Sequence, residues 1–175
     1  IAMNATTNTP TPTDKTAAAS EAELMALAAQ CRAQLTAPGA PFELTTVEIN
    51  GQALPAYRNA FPSLPALLNS ARVHSANEFM VYEGERWTYG QFFAAADALA
   101  GRMQADYGIQ AGDRIAIAMR NRPEWAVAFA AAALIGAVPA PLNSFGLREE
   151  LLSGLRDVDA RVLICDADRF AHVHN

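Results

Sequence analysis

Three short polar segments contain the residue types that could do chemistry, and each of them follows an apolar run. They are Arg120-Asn121 after residues 114–119, Asn143-Ser144-Phe145 after residues 138–142, and Asp166-Ala167-Asp168 after residues 161–165. Arginine side chains bind phosphate groups, and paired carboxylates can bind a divalent metal ion. If the apolar runs are parallel strands, their carboxyl ends lie at one edge of a sheet, where ligands gather. The sequence therefore predicts a candidate binding edge.

Several of these polar residues also have a simpler structural explanation. Asn121 can cap a helix that has Pro123 in its first turn, with the Glu124 carboxylate reaching back to the cap. Asn143 and Ser144 suit a turn or the cap of the following helix. Both the structural and the binding interpretations stay open for these residues.

The charged residues of the segments give no catalytic or metal-binding assignment. A solvated loop is favoured over a metal site for Asp166 and Asp168, and a solvated face is favoured over a phosphate site for Arg120 and Arg122. The Gly-rich phosphate loops GxGxxG and GxxxxGK-Ser/Thr do not occur, and the nucleophile motif GxSxG is missing as well. The residues alone therefore predict no catalytic residue and no metal ligand.

Apolar spacing predicts the elements that position the three segments. Three buried strands (residues 114–119, 138–142 and 161–165) alternate with a helix that ends at Gly136 and a helix carrying Leu147, Leu151, Leu152 and Leu155. This is a βαβαβ unit. The predicted fold class is α/β, with a partial doubly wound sheet in the C-terminal half that is preceded by hairpins and helices.

Turn and cap signals predict the elements of the N-terminal half. They are a helix from the Ser20/Glu23 capping box to Leu35, a hairpin at Asn50-Gly51, a short helix over Leu64–His74, a hairpin at Glu83-Gly84, and a long helix from the Thr88/Gln91 box to Gly108. Residues 1–19 are predicted to be a flexible tail, with Ile1-Ala2 as a cloning remnant. Residues 166–175 match no predicted element.

Composition narrows the class of protein. The net charge of −5 argues against a dedicated nucleic-acid binder. Cys31 and Cys165 form no metal or redox spacing, which suits a reducing cytoplasm. The apolar run after Trp125 is interrupted by Gly136, Pro139 and Pro141, so we predict a core helix and strand rather than a membrane span.

Four stretches, in this order along the chain, resemble the N-terminal region of AMP-forming, adenylate-forming enzymes, in particular acyl-CoA synthetases (fatty acid–CoA ligases). They are WTYGQFFAAADALAGRM from Trp87, GIQAGDRIAIAMRNRPEW from Gly108, LIGAVPAPLN from Leu134, and EELLSGLRDVDARVLICD from Glu149. Such enzymes use ATP and Mg²⁺ to activate a carboxylic acid as an acyl-adenylate, and they then transfer the acyl group to CoA. The resemblance also places Asn143, Ser144 and Phe145 near the CoA nucleotide.

The resemblance further implies that residues 20–175 are part of a large N-terminal domain, truncated before the phosphate-binding loop. On this hypothesis the chain is inactive alone, carries none of the family's catalytic residues and binds none of the cofactors tightly. Its partners would be the remainder of the parent chain, and a homodimer could form through exposed apolar surface. The alternative hypothesis is a complete, small, non-catalytic α/β binding or interaction module.

Overall fold

A computed structural model describes residues 20–174, and the predicted tail of residues 1–19 lies outside the described residues. The described residues form two compact units, which divide after Ala60. Each unit is described by itself below.

The first unit consists of one helix and one hairpin. Helix α1 (Glu21–Thr36) begins at the predicted capping box, where the Ser20 backbone N–H donates to Glu23 at 2.7 Å. Strands β1 (Leu44–Ile49) and β2 (Gln52–Tyr57) pair antiparallel, and Asn50 and Gly51 both adopt positive φ at the turn. Both elements confirm the sequence prediction. No residue of α1 is buried, so its apolar side chains face an open groove and solvent.

The second unit starts with a short helix, a hairpin and a long helix, as predicted. These are α2 (Leu64–Ser70) with a 3-10 turn (Ala71–His74), β3 (Glu78–Tyr82), β4 (Glu85–Thr88) and α3 (Tyr89–Tyr107). The Thr88 hydroxyl accepts from the Gln91 N–H at 3.2 Å, which caps α3. Gly108 ends the helix in the left-handed conformation, and the buried Ile109 donates its N–H to the Met103 carbonyl at 3.1 Å.

The predicted βαβαβ unit follows. Its elements are β5 (Arg114–Ala118), α4 (Pro123–Leu134), β6 (Val138–Pro141), α5 (Arg148–Asp157) and β7 (Val162–Cys165). The strands form a parallel sheet in the order β6-β5-β7. The structure therefore confirms the α/β class and places β5 at the centre of the sheet.

Burial differs between the centre and the sides of this sheet. Residues 115–118 of β5 are buried, and Ile115 and Ile117 pack against apolar side chains of α3 and α4. Strands β6 and β7 were also predicted to be buried, but the first and last residues of β6 are exposed and all four residues of β7 are only half-buried. The reason is topological, because each is the last strand on its side of the sheet among residues 20–174.

Two local predictions were wrong. Asn121 does not cap α4: the N-cap is Arg122, without a side-chain cap bond, and Pro123 occupies the first helical position. Residues 166–174 do form an element, helix α6 (Ala167–Val173), which Asp166 caps. Asp166 therefore starts a helix instead of lying in a solvated loop. Within the described part of the chain, no helix has the length and apolarity needed to cross a membrane.

Candidate functional site

The three polar segments meet at the carboxyl ends of the parallel strands, as the sequence predicted. Arg120 and Asn121 follow β5, Ser144 and Phe145 follow β6, and together they line a cavity of 270 Å³. Larger grooves exist, including one of 510 Å³ in the first unit, but that groove lies between α1 and the β1–β2 hairpin and not at the end of a parallel strand. The strand-end cavity has polar lining residues and lies at the carboxyl ends of parallel strands, where ligands bind in open α/β sheets.

A cation–aromatic pair forms one wall of this cavity. The Arg120 guanidinium carbon lies 3.6 Å from the centroid of the Phe145 ring. Phe145 is 74% exposed, which is unusual for a large apolar residue. An exposed ring beside a positive charge can stack on a planar base and attract an anionic group.

Asn143 shapes the loop and does not face the cavity. Its amide oxygen accepts from the Phe145 N–H at 3.0 Å, and its amide nitrogen donates to Glu150 at 2.7 Å. The predicted turn role of Asn143 is therefore confirmed. Of the three residues predicted near a nucleotide, Ser144 and Phe145 line the cavity and Asn143 holds the loop that carries them.

Asp166 joins the end of β5 to the start of α6. Its carboxylate accepts from the backbone N–H groups of Arg120 at 3.1 Å and Arg169 at 3.0 Å. Burial opposes ionisation of this carboxylate. The two N–H donors and the Arg169 guanidinium outweigh burial, so the pKa of Asp166 lies below its usual value. The carboxylate is ionised and fully engaged at neutral pH.

Arg169 is the residue at this edge that sequence reasoning missed. Its guanidinium lies 3.0 Å from an Asp166 carboxylate oxygen, and its Nε donates to the Ser144 carbonyl at 2.8 Å. The one sequence signal for this helix is Asp166, because aspartate is a common N-cap residue. It was overlooked because residues 166–175 are too short to show helical periodicity.

Arg122 pairs with a carboxylate close to it in the sequence. Its guanidinium contacts the Glu124 carboxylate at 2.9 and 3.1 Å. Hydrogen bonds from Arg122 hold the pKa of Glu124 below its ordinary value. The sequence predicted that the Glu124 carboxylate reaches back to a cap at Asn121. In the structure it pairs with the Arg122 side chain instead.

The carboxylates of this edge do not fit a metal site. Asp166 is committed to Arg169 and to two backbone donors, whereas the Asp168 side chain is 83% exposed. Residues 20–174 contain no group of three or more histidine, cysteine, aspartate or glutamate side chains that could hold a metal ion.

Several known proteins similar to this chain are named as ligases. A profile of the AMP-binding enzyme family matches residues 67–175. The chain is 29% identical over 100 residues to 2-succinylbenzoate–CoA ligase of Bacillus velezensis, covering 57% of this chain and 20% of the relative. It is 39% identical over 82 residues to the acyl-CoA ligase sidI of Aspergillus fumigatus, covering 47% and 14%. It is 36% identical over 84 residues to an L-proline–[L-prolyl-carrier protein] ligase of Streptomyces coelicolor, covering 48% and 16%. The chain thus spans a fifth or less of these relatives' length.

Solved structures agree with the sequence relatives. The N-terminal subdomain of Klebsiella oxytoca NpsA, in complex with 3-hydroxybenzoyl-AMSN, superposes with a TM-score of 0.58 at 25% identity, covering 63% of this chain and 28% of that one. The N-terminal domain of FACL13 from Mycobacterium tuberculosis gives a TM-score of 0.57 at 29% identity, covering 66% and 31%. With the family profile covering more than half of its residues, the chain belongs to the AMP-binding enzyme family and has the α/β fold of the N-terminal subdomain of adenylate-forming ligases.

Proposed function

We propose that the chain is the N-terminal scaffold portion of an AMP-forming acyl-CoA synthetase. The complete enzyme would convert ATP, a carboxylic or fatty acid and CoA into acyl-CoA, AMP and pyrophosphate. The observation that carries this proposal is the family match over residues 67–175, together with relatives that are themselves CoA ligases. The chain supplies the strand-end scaffold, and the remainder of the parent chain supplies the reacting groups.

The loop at the end of β6 is our proposed contact for the CoA nucleotide. The exposed Phe145 ring offers a stacking face for the adenine base, and the adjacent Arg120 guanidinium offers a positive charge to a phosphate. Ser144 lines the same cavity, and Asn143 fixes the turn that presents both residues. These features fit a nucleotide with an anionic group.

Residues 20–174 do not fit the metal, and the sequence lacks the motif that usually binds the triphosphate of ATP. The sequence contains no Gly-rich phosphate loop, and the strand-end carboxylates are unsuited to Mg²⁺. When bound, Mg²⁺ and ATP would supply the leaving group and the charge stabilisation for adenylate formation. We therefore assign ATP and Mg²⁺ binding to the remainder of the parent chain.

Two half-reactions test the proposal on the full-length protein. Carboxylate-dependent exchange of labelled pyrophosphate into ATP measures adenylate formation, and thioester formation measures transfer to CoA. We expect both activities with at least one member of a panel of fatty and aromatic acids, and neither activity with residues 1–175 alone. A full-length protein that forms no adenylate with any acid would overturn the proposal.

A carrier-protein thiol is the second candidate acceptor. The observation favouring it is the 36% identity to the L-proline–[L-prolyl-carrier protein] ligase. Supplying CoA and a phosphopantetheinylated carrier protein separately in the transfer assay distinguishes the two acceptors.

The non-catalytic module is distinguished by titration calorimetry of residues 1–175 with ATP. Tight stoichiometric binding by this chain alone would favour the module over the scaffold proposal.

A further inference from the structure

Arg169 connects two segments that are far apart in the sequence. It lies in α6, after the third strand of the sheet, yet its Nε donates to the Ser144 carbonyl in the loop after the second strand. Its side chain is only 12% exposed, and a terminal nitrogen contacts both Asp166 carboxylate oxygens at 3.0 and 3.1 Å. An enclosed guanidinium with this many partners has a fixed position.

The same ion pair reaches the central strand. Asp166 accepts from the Arg120 backbone N–H at 3.1 Å, immediately after β5. One Asp166–Arg169 pair therefore joins the carboxyl ends of all three parallel strands. It is the link through which the Ser144 carbonyl is tied to the residues after β5 and β7.

The other bonds of the loop after β6 have a different role. The Phe145 and Gly146 N–H groups both donate to Asn143, at 3.0 Å each, and Asn143 donates to Glu150 of α5. These bonds fix the internal shape of the turn and its link to the helix that follows. They do not fix the distance between the Phe145 ring and Arg120, on the neighbouring strand.

We infer that Arg169 is a positioning residue, which holds the Asn143–Gly146 loop so that Phe145 lies beside Arg120 and faces the nucleotide of the thiol substrate. This inference rests on the function proposed above. Arg169 itself has no contact with the cavity and acts through the Ser144 carbonyl. Loss of that contact would free the loop to shift away from Arg120 and to open more often, so its internal bonds to Asn143 would also break more often.

Comparison of the two half-reactions separates positioning from a general structural role. In the full-length protein, Arg169→Gln should raise the KM for CoA roughly 10- to 100-fold, because a small misplacement of a binding group is costly. Pyrophosphate exchange, which needs no CoA, should stay near the wild-type rate. If both half-reactions fall by the same factor, Arg169 is merely structural and the inference is wrong.

The matched control is Arg72→Gln. Arg72 also forms a two-point ion pair, with Asp97 at 2.7 and 2.9 Å, but it has no bond to the strand-end loop. It should leave the KM for CoA unchanged. If Arg169→Gln fails to fold, Arg169→Lys keeps the charge beside Asp166 but lacks the planar fork that serves Asp166 and Ser144 together, so KM should still rise.

Amide hydrogen exchange on residues 1–175 tests the inference without any CoA. Arg169→Gln should accelerate exchange at the Phe145 and Gly146 amides about 10-fold, and Arg72→Gln should not. Unchanged exchange at these amides would overturn the positioning role even if the protein is a CoA ligase. Conversely, a full-length wild-type protein that transfers no acyl group to CoA would overturn the proposed function. The hydrogen-exchange result would still test whether Arg169 positions the loop.

Discussion

The Arg120 guanidinium lies over the ring of Phe145, with its central carbon 3.6 Å from the ring centroid, and the two residues follow neighbouring strands of one sheet. Parallel pairing of β5 with β6 brings the residues that follow each strand to the same edge. Most of Phe145 stays exposed in this pair, so the ring does not contribute to the hydrophobic core. This relationship is the basis of the binding role proposed for the edge.

Phe145→Ala should weaken CoA binding without unfolding the protein. Loss of a base–aromatic stack costs about 1–3 kcal/mol, so the KM for CoA should rise from several-fold to about 100-fold. The unfolding free energy should change by less than about 0.5 kcal/mol, because the side chain is already in solvent. Steady-state kinetics and chemical denaturation measure the two quantities. Leu147→Ala, at a residue 72% exposed, is the matched control, and an equal KM change in both variants would contradict a stacking role.

The Asp166 carboxylate should make stability depend on pH in the acid range. Its pKa is lowered in the fold, so the ionised form is the stabilising one. The contribution is fully present above the ordinary aspartate pKa of about 3.9, and it is lost as the pH falls through the lower pKa of the folded state. The free energy of unfolding of the wild type should exceed that of Asp166→Asn by about 1–3 kcal/mol at neutral pH. This difference should start to shrink near pH 4.

Denaturation titrations at several pH values measure this difference. Asp168→Asn is the control, because the Asp168 side chain is 83% exposed. This substitution should change the free energy of unfolding by less than about 0.5 kcal/mol at every pH. A wild-type advantage over Asp166→Asn that grows on acidification would show that the carboxylate is destabilising, contrary to the geometry.

Glycine has opposite effects at two positions of the second unit. Gly136 has a φ of 77°, and an added Cβ would lie 3.1 Å from the Ala111 Cβ, so Gly136→Ala should cost roughly 1–2 kcal/mol. Gly101 lies on the exposed face of α3, where an added Cβ meets nothing within 4 Å, so Gly101→Ala should stabilise by about 0.5–1 kcal/mol. Chemical denaturation of the two variants checks the signs. Two changes of the same sign would contradict this account.

Strand β6 presents an outer edge that lacks N–H donors. The Val138 N–H donates to the carbonyl of Asp113, just before β5, at 2.8 Å, and the Leu142 N–H donates to the Ile117 carbonyl of β5 at 2.9 Å. Alternation directs residues 139 and 141 the other way. Both of those residues are proline, so the edge cannot form a complete ladder with another strand. A homodimer through this edge is therefore disfavoured, although the predicted dimer through apolar surface remains a prediction.

Replacing the two prolines should promote self-association. Pro139→Val with Pro141→Val adds two outward donors to an edge strand, which should shift residues 1–175 toward dimers and larger species at rising concentration. Sedimentation velocity measures the shift. Adding Val138→Lys should reverse it by placing a charge on the edge. A sedimentation coefficient unchanged by the proline substitutions would show that this edge does not control association.

The sequence predicted most of what depends on local chemistry and missed a contact between residues that are far apart in the chain. The capping boxes at Ser20 and Thr88 and the Asn50-Gly51 turn are local, and each was found where expected. The strand-end cluster followed from topology. The Arg169–Ser144 bond spans 25 residues of sequence and has no local signature, so it could be seen only in three dimensions.

Asn121 provides the sharpest test of a local rule that failed. Its spacing to Glu124 matches a capping pattern, yet the helix begins one residue later, and Glu124 is held by Arg122. Asn121→Ala should therefore change the unfolding free energy by less than about 0.5 kcal/mol. Thr88→Ala, which removes a cap that accepts from Gln91, should cost about 1 kcal/mol. Parallel denaturation of the two variants decides the matter, since a loss at Asn121 as large as that at Thr88 would restore Asn121 as the cap of α4.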